Sequence, residues 1–213
     1  MAIALWRTRG AQKTFPVLEL NGRAIGDSTA IIAALERDLD GPALYPRDPA
    51  QLARALELED FFDEELGPHI RLLAWHELRR DPRVMEKLAV RMLPGPLRDR
   101  ESAGPAARLL ASTFVQARYR VAGEDEAARA REKVLAALDR LEAELERGDG
   151  AHLVGEEFSV ADLTAAALFY PLVNPPEGPS LIPEMPAPFE AFRAPLRDRP
   201  GYRWVERTFA EHR

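Results

Sequence analysis

The sequence has 213 residues, of which 46% are hydrophobic and 30% charged, with a net charge of −6; that suits one or two compact domains with a sizeable buried core. It contains no cysteine, which excludes disulfides, thiolate metal sites and cysteine nucleophiles. The acidic excess, with basic residues scattered among acids, argues against a nucleic-acid face, and no stretch approaches the roughly 20 apolar residues of a membrane-spanning helix.

Met1 to Trp6 is a short apolar patch followed, not preceded, by Arg7 and Arg9. That is the wrong order for a signal peptide, so a cytoplasmic location is expected. Next comes Phe15-Pro-Val-Leu-Glu-Leu-Asn-Gly22. Val17 to Leu20 has strand character, Asn21-Gly22 is a hairpin turn signal, and Ala24-Ile25 begins a second strand. Asp27-Ser28-Thr29 then offers N-cap chemistry for a helix through Ala30 to Leu35.

After the loop Gly41 to Arg47 the pattern is helical nearly throughout. Asp48, Pro49 and Gln51 open a helix with a capping box. Leu52, Leu56, Leu58, Phe61, Phe62 and Leu66 are its expected buried side, and Gly67-Pro68 is expected to interrupt it. The pattern resumes through Ile70, Leu72, Leu73 and Trp75 to Arg80, and Asp81-Pro82 starts a further helix. Pro94-Gly95-Pro96 and Gly104-Pro105 predict a surface excursion, with helix returning over 106–119. Glu124 to Arg147 predicts a long amphipathic helix with Val134, Leu138, Leu141 and Leu145 on one face. Asn174 to Pro188 reads as a loop, and short helices follow near 189–197 and 202–211.

Two motifs carry chemistry. A proline before a strand cannot donate to the ladder, so Pro16 belongs at a strand start or edge. If its peptide bond is cis, the backbone of Phe15 turns outward and can pair with an extended peptide. At the helix N-terminus, backbone N–H groups and the Ser28 hydroxyl favour a carboxylate, while Asp27 can receive an ammonium group. Together they would hold both ends of a small peptide. The plain alternative is a strand stop and a helix cap. The second motif is Phe158-Ser-Val-Ala-Asp-Leu163. Ser159 caps a helix, Asp162 reaches back to its N–H, and Phe158 with Leu163 forms a hydrophobic staple. Here Asp162 reads as structural, not catalytic.

The stretch Phe15 to Leu35 resembles the second half of the thioredoxin-like domain of glutathione transferases. Phe158 to Leu163 and the ending Arg199-Pro-Gly-Tyr-Arg-Trp204 are similar to that family's helical domain. The resemblance covers most of the chain and is weakest over Arg80 to Gly123. It implies a mainly α fold: an incomplete thioredoxin-like α/β N-terminal domain over 1–42, followed by an all-helical C-terminal domain over 48–213. It implies glutathione as co-substrate, held by Phe15 and Pro16 at the cysteinyl part and by Asp27 and Ser28 at the γ-glutamyl end. It implies a pocket for a small hydrophobic electrophile bordered by Trp75, His76, Arg79 and Tyr119. Pairing into a homodimer is an open expectation.

The family opens with a strand, a helix and a second strand, a unit of roughly 30 residues or more. Only 15 residues precede Pro16, and no Tyr, Ser or Cys occurs before Ser28. The catalytic residue that activates the thiol is therefore unknown and expected upstream of Met1. Two readings follow: a glutathione transferase, or a non-catalytic binding or docking module with a degenerate first domain. His69, His76, His152 and His212 show no metal-ligand spacing beyond the loose pair at 69 and 76, so no metal is expected.

Overall fold

A computed structural model describes residues 16–91, 123–179 and 185–213. The chain divides between Pro46 and Arg47 into two compact units.

The first unit holds β1 (Val17–Leu20), β2 (Arg23–Gly26) and α1 (Ser28–Asp38). The strands pair antiparallel, with Val17 opposite Gly26 and Leu20 opposite Arg23. Asn21 (φ 51°) and Gly22 (φ 74°) form the turn. Two successive positive φ values match the twist of a two-residue hairpin, which is why Asn-Gly closes it. Beyond α1, the Glu36 carboxylate accepts hydrogen bonds from the backbone N–H groups of Leu44 and Tyr45 and ties down the following loop.

The second unit is helical: α2 (Pro49–Phe61), a π turn (Phe62–Leu66), α3 (Gly67–Arg80), α4 (Pro82–Arg91), α5 (Glu124–Arg147), α6 (Val160–Val173), α7 (Ala187–Arg193), a 3₁₀ turn (Ala194–Leu196) and α8 (Pro200–His212). Two of the helix starts are capped as their sequence demands. The Asp48 side chain accepts from the N–H groups of Ala50 and Gln51, and Asp81 accepts from Arg83 and Val84.

α6 is apolar on every face and sits at the centre. Val160, Ala161, Ala165, Phe169 and Leu172 are fully enclosed, and α2, the π turn, α3 and α8 all pack on this helix. Phe62 meets Phe169 edge to face, with ring centroids 6.1 Å apart. α5 lies along α3 and α8. Its face of Val134, Leu138, Leu141 and Leu145 is buried, as the spacing predicts. Gly201 allows α8 a close approach to α5: a Cβ there would stand 2.8 Å from Leu138 Cδ1.

Gly67-Pro68 does not interrupt the helix as expected. The chain widens into the π turn, in which the Gly67 N–H bonds back to the Phe62 carbonyl, and then continues as α3. Pro68 has no N–H to offer a preceding carbonyl, and the wider turn accommodates this one residue ahead. α7 begins at Ala187, inside the stretch expected as loop, because Pro186 and Pro188 sit at its entry, where a missing N–H costs nothing. The segments expected as a surface excursion and a helix between Pro94 and Tyr119 lie outside the described residues.

Gly155 has φ +69°, and the side chain of Gln51 lies 3.0 Å from where its Cβ would stand. Gly155→Ala is expected to cost about 1–2 kcal/mol from the left-handed backbone alone. A lowered denaturation midpoint with unchanged slope is the check.

Candidate functional site

The first group of predicted residues stands at the entry to α1. Asp27 is the N-cap, and its Oδ1 accepts hydrogen bonds from Thr29 N (3.1 Å) and Ala30 N (3.3 Å). Its carbonyl accepts from Ile31 N at 3.0 Å. Its backbone lies at φ 74°, ψ 132°, well away from the left-handed helical region that Asn and Asp ordinarily visit. Such a conformation costs on the order of 1–3 kcal/mol and persists only where surrounding structure enforces it. Asp27 stands between the buried Gly26 at the end of β2 and the start of α1. Ser28 is the first helical residue and is exposed, and Pro16 is exposed just before β1. Phe15 lies outside the described residues.

At this entry the sequence pattern brings together an acidic side chain, a hydroxyl and the N-terminal end of an 11-residue helix, whose Thr29 and Ala30 N–H groups already donate to Asp27. One Asp27 oxygen is committed to the cap. The chemistry of the rest suits a zwitterion: an ammonium group for the carboxylate, a carboxylate for the helix end.

The second group lies on α3. Trp75 is half-buried and packs against Leu78, Val84 and Met85. His76 is buried and faces α5, with Nε2 3.2 Å from Glu124 Oε2. Arg79 NH2 approaches His76 Nδ1 at 3.5 Å. With Nε2 protonated, Nε2–H donates to Glu124 and Nδ1 accepts from Arg79, while Arg80, whose NH1 also stands 3.4 Å from Nε2, donates to Glu124. Arg80 donates to Glu124 at 2.9 Å, and Arg131 bridges Glu124 (2.9 Å) and the buried Glu77 (2.5 Å). These partners lie 44 to 54 positions away in sequence for the α3 residues, so no local signal could have revealed them. Tyr119 lies outside the described residues.

The third group is the cap of α6. Asp162 is fully buried. Its Oδ2 accepts from Ser159 N (2.9 Å) and Ser159 Oγ (2.6 Å), and its Oδ1 accepts from Leu153 N (2.8 Å). The link to Leu153 is an addition to the sequence reading: it pins the loop before the helix as well as the helix itself. Phe158 and Leu163 line one apolar cleft, and Phe158 stacks on His212 with ring centroids 4.1 Å apart.

Among the described residues no group of three His, Asp or Glu is placed to hold a metal ion, and no helix is long and apolar enough to cross a membrane.

Comparison with known proteins bears on the helical unit. Residues 124–207 match the family described as glutathione S-transferase, C-terminal domain. No curated protein matches the chain. Three solved structures are similar at 21% identity over 89% of this chain. A glutathione S-transferase domain-containing protein from Marinobacter aquaeolei VT8 is covered over 74% of its length, with TM-score 0.49. A glutathione S-transferase from Methylobacterium radiotolerans JCM 2831, in complex with glutathione sulfonate, is covered over 70%, with TM-score 0.46. FzlA from C. crescentus is covered over 68%, with TM-score 0.45. The matched segment takes in all of α5, α6 and α7 and most of α8, including the Ser159–Asp162 cap. The chain is mainly α, a hairpin and one helix followed by a helical unit, and over residues 124–207 that unit is similar to the glutathione S-transferase C-terminal domain.

Proposed function

We propose that this chain binds glutathione at the entry to α1 and uses it with a hydrophobic electrophile, as a glutathione S-transferase does. The observation that carries the reading is the strained backbone of Asp27, φ 74° and ψ 132°, directly ahead of Ser28. Capping alone does not require it: Asp48 caps α2 equally well from an ordinary extended conformation. Strain that a helix cap does not need is a mark of a binding position. The family match over residues 124–207 supports the same reading.

On this reading the remaining Asp27 oxygen receives the γ-glutamyl ammonium group. Ser28 and the helix end receive the carboxylate, and Phe15 and Pro16 offer backbone to the cysteinyl part. Trp75, His76, Arg79 and Tyr119 are the residues that the family resemblance offers to the electrophile. His76 also meets Glu124 at the start of α5 and so ties α3 to α5. The chemical task is to keep the bound thiol as thiolate, since the thiolate is the nucleophile.

Calorimetric titration of the native protein with glutathione tests this. A saturable heat is expected. Asp27→Asn keeps the cap acceptor but loses the charge, so it should weaken binding at least tenfold with little change in stability, in line with the roughly 1.5–3 kcal/mol of a charge-assisted hydrogen bond. Absence of heat with the unsubstituted protein would overturn the proposal. Equal affinity in the Asn variant would remove Asp27 from it. Turnover of a generic aryl halide then separates conjugation from binding alone.

A further inference from the structure

We draw no further inference here: the strongest candidate, the apolar cleft of about 170 Å³ between α6 and α8 lined by Phe158, Leu163, Ala166, Ala167, Phe209 and His212, carries nothing because nothing in the structure shows what covers it.

Discussion

Replacing Asp162 with Ala is expected to destabilise the helical unit by about 3 kcal/mol or more, because two buried backbone donors lose their acceptor and each costs roughly 1–3 kcal/mol. The donors are the N–H groups of Leu153 and Ser159; the Ser159 hydroxyl loses its partner as well. Asp162 is 0% exposed, so water cannot step in without opening the end of α6. Asp162→Asn retains one acceptor oxygen and should fall between the parent and the Ala variant. Ser159→Ala removes only the hydroxyl and should cost about 1 kcal/mol. Equilibrium unfolding in urea, with glutathione absent, measures all three. An Asp162→Ala variant within 1 kcal/mol of the parent would show that the carboxylate is dispensable to the cap.

The second large effect is expected at Glu144. This side chain is 2% exposed and accepts from three guanidinium groups: Arg54 (2.5 Å), Arg140 (2.6 Å) and Arg147 (2.5 Å). Burial alone would push its carboxyl pKa up. The hydrogen bonds from Arg54, Arg140 and Arg147 outweigh that and hold it below the usual value of 4.5. Removing one partner of a buried ion pair costs roughly 3–5 kcal/mol when the other charge is stranded. Here the arginines are 31%, 32% and 63% exposed and can turn to solvent. The low end, about 3 kcal/mol, is therefore expected for Glu144→Gln.

The pH dependence has a definite sign. A carboxylate whose folded pKa is depressed contributes stability that is fully present above the unfolded value of 4.5. Between the two pKa values the unfolded chain binds more protons, so stability falls as pH drops through that interval. The stability difference between the parent and Glu144→Gln should be constant near neutrality and shrink below about pH 4.5. A difference that persists unchanged well below that pH would mean the charge contributes little, and packing of the side chain most of it.

The sequence carried the local features well. Asn21-Gly22 fixed the hairpin turn because few other pairs tolerate two positive φ values. Asp27, Asp48, Asp81 and Ser159 marked helix starts because a short acceptor there meets orphan N–H groups. The face of Val134, Leu138, Leu141 and Leu145 was readable because its 3.6 periodicity is strong. What escaped was set by the tertiary structure. His76 meets Glu124, and Glu77 meets Arg131, only because α5 packs on α3. Glu144 meets Arg54 across 90 positions. The strain at Asp27 is a property of how β2 hands the chain to α1, and the residue type alone does not announce it. For that reason the residue types at this entry are legible in the sequence, while the backbone angles of Asp27 are legible only in the structure.

The π turn at Phe62–Leu66 has a consequence for comparing this chain with any other. Phe62, Leu66 and Ile70 are all buried and stand four apart, a spacing that a regular helix cannot hold on one face without drifting about 40° each time. The widened turn absorbs that drift. A helical wheel drawn straight through residues 49–80 therefore mixes inward and outward positions; two wheels, offset by one residue, are needed. Aligned with a relative whose helix lacks the wide turn, this segment requires a one-residue gap at 62–66. Without the gap every assignment downstream rotates by about 100°, and Trp75, His76 and Arg79 would each be equated with a residue on the wrong side of the helix.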